Sequence, residues 1–286
     1  MSKERELLMY AYADLDIPIQ WVDTEVEAWA KKYSIATRRD CLGKTDSFEG
    51  FSYFNMNTSL KKFPELRLFS DLIAIPPFMF RGCSNLTQIE LPGDALSLGR
   101  YVFDQCNSLT SIDIPNGVIS IEKYAFRGCS NLTQVKLPSR LESIGNSAFL
   151  DCSSLSSVKL PDRLKSIGEF SFSYCFGLTS IELPDSLTSI GGYAFDHCTN
   201  LIQIELPGGL NSIGSGIFSC CNSLTIVKVS SKTPPPVNKD GVDIFDNCPK
   251  LATIYVPDES LETYKKADGW SSHSSILKPL SEWVDK

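Results

Sequence analysis

The nonapeptide FRGCSNLTQ occupies residues 80–88 and occurs again, unchanged, at residues 126–134, which begin 46 residues later. Its cysteine belongs to a series with a step of 23 residues, and an eighth cysteine follows after a step of 27: Cys83, Cys106, Cys129, Cys152, Cys175, Cys198, Cys221 and Cys248. Phenylalanine stands three residues before each of these cysteines, and leucine stands three residues after each. The chain therefore contains eight copies of one repeated unit.

A fixed period in the twenties is typical of a solenoid, in which each repeat buries its apolar face against its neighbours. In LTSIELP, residues 178–184, Ile181 and Leu183 alternate with Ser180 and Glu182, which is the period of a half-buried strand. A second short extended segment is expected where serine recurs in six units: Ser97, Ser120, Ser143, Ser166, Ser189 and Ser212. The spacing between phenylalanine and cysteine fits one short helical or 3₁₀ turn. The sequence thus predicts a repeat solenoid with a parallel β-sheet on its concave face and short turns on its convex face.

The repeat divides the chain into three parts. Residues 61–257 are expected to form the solenoid of about eight rungs, with a proline-rich loop insertion at residues 231–243. Residues 1–60 contain Val22, Val26 and Trp29 at helical spacing, and we interpret this part as a helical cap or as a docking segment. Residues 258–286 are expected to form a C-terminal capping helix and tail.

The charge of the chain and the composition of its first residues limit the kinds of partner that we expect. The formal charge is −7 and the pI is about 5.0, so a nucleic-acid partner is not expected, because binding phosphates needs clustered lysine and arginine. The start of the sequence mixes charges with short apolar runs, so we expect neither an export signal in the chain as written nor insertion into a membrane.

The ladder cysteines could be disulfides, metal ligands or core residues. Parallel rungs about 5 Å apart hold Cβ atoms farther apart than a disulfide prefers. The chain has no C-x-x-C pair of the kind that binds zinc. We interpret this column as small buried hydrophobes, and we predict no metal and no cofactor.

The position before the ladder cysteine varies, and successive rungs place Asp151, Tyr174, His197 and Cys220 side by side. A cysteine beside a histidine and an acid resembles a nucleophilic site. Asp151 would lie two rungs from His197, however, and a convex face encloses nothing. We therefore predict an exposed, oxidisable thiol at Cys220 and no catalytic residue.

One outward strand position should line the concave face in single file. Its residues are Glu90, Asp113, Lys136, Lys159, Glu182, Glu205, Lys228 and Tyr255. Three neighbouring pairs in this file have opposite charges: Asp113 with Lys136, Lys159 with Glu182, and Glu205 with Lys228. The stripe is either a self-paired face that keeps the sheet soluble, or a ligand-binding stripe whose specificity is set by the order of charges. It lacks the aromatic and arginine anchors of strong interfaces.

The pattern I-G-x-x-A-F-x-x-C-x-x-L-x-x-I-x-L-P-x-x-L-x-S resembles the BspA-like (treponemal-type) class of leucine-rich repeat proteins, over residues 61–277. The resemblance implies a leucine-rich-repeat horseshoe without catalytic residues, often at a bacterial surface and associated with adhesion. Exported members carry a leader, which this sequence does not show. We therefore expect a non-enzymatic binding module for a protein or glycan. The alternative is a structural scaffold or spacer, intracellular or virion-attached, that is anchored through its N-terminal segment.

Overall fold

The computed structural model describes Met56, Thr58 and residues 60–63, 74–75, 77–237 and 242–284. The predicted N-terminal helices lie outside these residues. In the described part the chain winds into a parallel β-solenoid. One complete winding, here called a rung, has two short extended segments, most of them paired as strands, and one set of tight turns. The solenoid predicted from the repeat is therefore confirmed.

The first strand of a rung runs parallel to its neighbours, and within the repeat it begins two residues after the repeated leucine. These strands are β1 (Lys62–Phe63), β3 (Gln88–Ile89), β5 (Ser111–Asp113), β7 (Gln134–Lys136), β11 (Gln203–Leu206), β13 (Ile226–Val229), β14 (Thr253–Val256) and β15 (Leu277–Pro279). Between β7 and β11 the pairing is reduced to one parallel bridge, from Lys159 to Glu182. Alternate side chains are buried, and the others form an outward surface that we call the strand face.

The second strand of each rung is two residues long. Its members are β2 (Ala74–Ile75), β4 (Ser97–Leu98), β6 (Ser120–Ile121), β8 (Ser143–Ile144), β9 (Ser166–Ile167), β10 (Ser189–Ile190) and β12 (Ser212–Ile213), and they form one seven-stranded parallel sheet. From β4 onward the serine is half-buried and the following aliphatic residue is buried. The second extended segment predicted from the serine series is thus present.

Glycine follows this second strand because successive backbones approach closely there. A Cβ atom on Gly191 would lie 2.4 Å from the backbone nitrogen of Glu169, and one on Gly168 would lie 2.6 Å from that of Asn146. Contacts this short with backbone atoms cannot be relieved by moving a side chain. The glycine of the repeat therefore allows the rungs to stack.

The core consists of columns of identical residues. The rings of the repeated phenylalanines stack from Phe80 to Phe245 with centroids 5.1 to 5.8 Å apart. From Cys106 onward, each ladder cysteine donates an S–H···O hydrogen bond of 3.0 to 3.3 Å to the phenylalanine carbonyl of the preceding rung. All the ladder cysteines are free thiols, and all but Cys248 are buried, as the core interpretation predicts.

The turns between the second and first strands form a surface that we call the turn edge. They do not continue as a 3₁₀ helix, because two positions per rung have left-handed backbone. The first is occupied by Phe78, Tyr101, Tyr124, Ser147, Phe170, Tyr193 and Gly216, and the second by Gly82, Gln105, Gly128, Asp151, Tyr174, His197, Cys220 and Asn247. The left-handed conformation aims backbone N–H groups at the next rung, as from His197 to the carbonyl of Ser219 at 2.8 Å. The turn edge is thereby a third hydrogen-bonded ladder.

The C-terminal segment closes the last rung. It contains one short helix, α1 (Leu261–Tyr264), three 3₁₀ turns at Asp258–Ser260, Ser271–His273 and Leu280–Glu282, and strand β15. Tyr264 and Trp270 are buried and donate hydrogen bonds to the carbonyls of Ser231 and Pro235 in the proline-rich insertion. The predicted capping helix is thus a single turn, and the predicted tail adds a strand.

Candidate functional site

The predicted binding stripe lies along the strand face, with one residue on each rung. Six of its side chains are exposed: Glu90, Asp113, Lys136, Lys159, Glu182 and Glu205. Lys228 and Tyr255 are half-buried. Because the strands pair in register, these side chains stand in single file.

Two of the three predicted charge pairs form ion pairs. Lys136 Nζ lies 3.6 Å from Asp113 Oδ2, and Lys228 Nζ lies 2.9 Å from Glu205 Oε2. Partial burial acts to raise the pKa of Glu205, but hydrogen bonds from Lys228 and Ser230 outweigh it and lower that pKa. In both pairs the charges of the stripe are therefore already compensated by a residue on the neighbouring rung.

The central pair differs from its neighbours. Lys159 and Glu182 are bridge partners through their backbones, yet neither side chain forms an ion pair or a hydrogen bond with any residue that the structure describes. Ser157 and Ser180, two residues earlier on the same strands, are small and exposed. The middle of the strand face therefore presents one unpaired cation and one unpaired anion among small polar side chains.

The C-terminal end of the stripe is partly covered. Trp283 packs edge-on against Tyr255, with ring centroids 5.1 Å apart, and Lys228 Nζ lies 5.2 Å from the Trp283 ring centroid. Strand β15 places Lys278 in register with Tyr255, so the file continues one rung further. Sequence reasoning missed Lys278 and Trp283, because both follow the end of the repeat.

Arginine and aromatic side chains are grouped on the turn edge. Asp104 is fully buried and lies between two arginines, with Arg81 Nε 3.1 Å from its Oδ2 and Arg127 Nε 2.7 Å from its Oδ1. The Arg127 guanidinium also lies 5.6 Å from the ring centroid of Tyr101 and 5.1 Å from that of Tyr124. Both charge and ring contacts thus hold the arginines in place.

The variable column of the turn edge is arranged partly as predicted. Tyr174 and His197 stack with centroids 4.4 Å apart, and Cys220 on the next rung is half-buried. Asp151 is exposed and two rungs from His197. The acidic neighbour of His197 is instead Asp196, whose Oδ1 lies 2.8 Å from His197 Nδ1. The sequence pattern compared residues within one column, so it did not indicate Asp196, which directly precedes His197 in the chain.

The described part of the chain contains no helix with the length and apolar content needed to span a membrane. A family model for the BspA type leucine rich repeat region matches residues 51–162 and 142–267, in six copies. The chain belongs to the BspA-type leucine-rich repeat family. No curated protein matches the sequence significantly.

Several solved structures of bacterial leucine-rich repeat proteins are similar to this chain. A leucine-rich repeat protein from Bacteroides ovatus is 26% identical with a TM-score of 0.58, and the match covers 80% of this chain and 62% of that one. A leucine rich cell surface protein from Faecalibacterium prausnitzii is 27% identical with a TM-score of 0.53, covering 66% of this chain and 59% of that one. The T. pallidum leucine rich repeat protein is 28% identical with a TM-score of 0.54, covering 68% and 86%. The chain therefore spans about three fifths of the first two proteins.

Proposed function

We propose that this BspA-type protein is a non-enzymatic binding module whose strand face recognises a partner in an adhesion-like role. The observation that carries the proposal is the free pair Lys159 and Glu182 at the middle of the stripe, between rungs whose charges are already paired. Free charges are desolvated and matched on binding more readily than charges that must first leave a partner. The F. prausnitzii protein, described as a cell surface protein, supports an exposed role.

Of the two partner classes expected, protein or glycan, the free pair favours a protein. A neutral glycan offers no charges to match, whereas a protein surface offers both signs. Among the described residues, the strand face carries aromatic rings only at its C-terminal end, and sugars commonly stack on such rings. The interaction should therefore depend on salt concentration, with the order of charges setting specificity.

Binding of the purified protein to immobilised extracellular-matrix proteins and to a glycan array tests the proposal. A ligand found in this way is measured again with Lys159→Glu and with Glu182→Lys, each of which should weaken binding about tenfold, equivalent to about 1.4 kcal/mol. Lys165→Glu is the matched control, because Lys165 pairs at 2.7 Å with Glu142 beside the second sheet. Equal binding by all three variants would refute a strand-face site.

The scaffold alternative rests on the N-terminal segment, which lies outside the described residues. Under that alternative, removal of residues 1–60 abolishes assembly into a larger body, while Lys159→Glu has no effect on it. Under the binding proposal, Lys159→Glu reduces capture of the ligand by the intact chain. The two variants thus separate the interpretations.

A further inference from the structure

A second cluster of chemically reactive side chains lies on the turn edge, away from the proposed strand-face site. One potential ligand atom each from Asp196, His197 and Cys220 lies within 4.8 Å of the other two. His197 and Cys220 occupy the same left-handed position on adjacent rungs, each with φ of 57°. Equivalent backbone on neighbouring rungs makes the two side chains leave the solenoid in the same direction.

The charge on Asp196 is compensated differently from that on Asp104, which occupies the same column. Asp104 is buried between Arg81 and Arg127. Asp196 is 7% exposed, and the equivalent neighbours on its two sides are serines, of which Ser173 donates a hydrogen bond of 3.1 Å. Within the described residues, its only partner able to carry positive charge is His197. Because no lysine or arginine among the described residues pairs with this buried carboxylate, the position suits an added positive ion.

The neighbouring rungs hold the other two side chains in place. Tyr174 stacks on the His197 ring from the preceding rung, with centroids 4.4 Å apart. Asn247 Nδ2 donates a hydrogen bond of 3.3 Å to Cys220 Sγ from the following rung, and a donor in this place stabilises a thiolate. Both His197 and Cys220 remain half-buried, so an ion can reach them from solvent.

We propose that Asp196, His197 and Cys220 bind a zinc-class divalent metal ion. Thiolate sulfur and imidazole nitrogen are the ligands that zinc, cobalt and nickel prefer in proteins, and a carboxylate oxygen is a common third ligand. Zinc–nitrogen and zinc–sulfur bonds of about 2.0 and 2.3 Å suit ligand atoms with this spacing after small side-chain adjustments. Three protein ligands leave one position open. Binding transfers the thiol proton of Cys220 to solvent and forms the sulfur–metal bond.

Titration of the full chain with Co²⁺ tests this site, because a thiolate bound to Co²⁺ gives a near-ultraviolet charge-transfer band. The titration uses the Cys41→Ser variant of the full chain, so that Cys41, a thiol outside the ladder, does not contribute to the band. The band should reach its maximum at one equivalent of Co²⁺. It should disappear when Zn²⁺ displaces the bound Co²⁺. Zn²⁺ should also protect Cys220 from alkylation, as peptide mass spectrometry would show.

The test variants use residue types that other rungs carry in the same columns, so each should fold. His197→Gln follows Gln105, Cys220→Asn follows Asn247, and Asp196→Ser follows Ser173. The first two should abolish the band, and the third should weaken Co²⁺ binding tenfold or more. Circular dichroism confirms that each variant is folded. A missing band in the parent protein, or an unchanged band in His197→Gln, would overturn the proposal and leave an ordinary Asp196–His197 ion pair.

Discussion

The Sγ atom of Cys152 donates a hydrogen bond to the carbonyl oxygen of Phe126, 3.2 Å away and 26 residues earlier in the chain. The same carbonyl accepts the backbone N–H of Cys129, also at 3.2 Å. Cysteine is suited to this column because its side chain is small enough for the core and still carries a weak donor. The phenylalanine carbonyl would otherwise have one partner fewer in an apolar interior.

Replacement of Cys152 by alanine should therefore destabilise the solenoid. The change removes the hydrogen bond and leaves a small cavity beside the stacked phenylalanines, at a cost of about 1–2 kcal/mol. Thermal and urea unfolding measure the effect. Cys220→Ala, at a half-buried position outside the core, should change stability by less than about 0.5 kcal/mol. Equal losses for the two variants would contradict the role given to the ladder sulfur.

Alkylation of the folded protein should separate the thiols by position. Burial raises the pKa of the ladder thiols from Cys106 to Cys221, and it raises that of Cys248, at the end of the ladder, to about 12. Iodoacetamide at mildly alkaline pH should modify Cys220 rapidly and leave Cys129 and Cys152 unmodified, because the thiolate is the reacting form. Peptide mass spectrometry after a time course gives the rates. Early modification of Cys152 would show that the column is not closed to solvent.

Gly191→Ala should destabilise the fold through the close approach of two rungs. The added methyl group would lie 2.4 Å from the backbone nitrogen of Glu169, so the rungs must separate locally, at a cost of about 1–3 kcal/mol. Gly93→Ala is the control, because a Cβ atom there meets no atom within 4 Å. The difference between the melting temperatures of the two variants measures the packing effect. Equal melting temperatures would show that the rungs accommodate the added methyl group at no cost in stability.

Asp243 should make the C-terminal cap sensitive to acid. Burial acts to raise its pKa, but hydrogen bonds from His273, the Phe245 N–H and Ser272 outweigh this and lower it. A carboxyl whose pKa is lowered by folding stabilises the native state above its unfolded pKa of about 3.9, and this contribution is lost as pH falls through the folded value.

Asp243→Asn should therefore be less stable than the parent protein at pH 7, by about 1–3 kcal/mol for the weakened charged hydrogen bonds. The difference should shrink as the pH falls below about 4. Melting temperatures of both proteins between neutral and acid pH measure this. A difference that stays constant with pH would mean that the Asp243 charge is not what holds the cap.

The features predictable from the sequence were those that recur. Phenylalanine, cysteine and leucine columns set the period, and the serine before Ile190 marked the second strand. The left-handed positions gave no signal, because Tyr174, His197 and Cys220 occupy them as well as glycine. Asp196 was missed because its contact crosses between columns, and Trp283 because it follows the last repeat. Periodic patterns thus predict packing, whereas contacts made once depend on side-chain directions that the spacing does not specify.

Because the strands share one register, a whole repeat can be deleted or inserted without shifting the other residues of the stripe. A gene that lost the codons for residues 138–160 would still encode an uninterrupted pattern, because the proline at position 161 would follow Leu137 as Pro138 does now. Every core column would be kept, yet Lys136 would become the neighbour of Glu182 and the free Lys159 would be gone. Recombination between repeats could therefore change what the surface displays in one genetic step while leaving the fold unchanged.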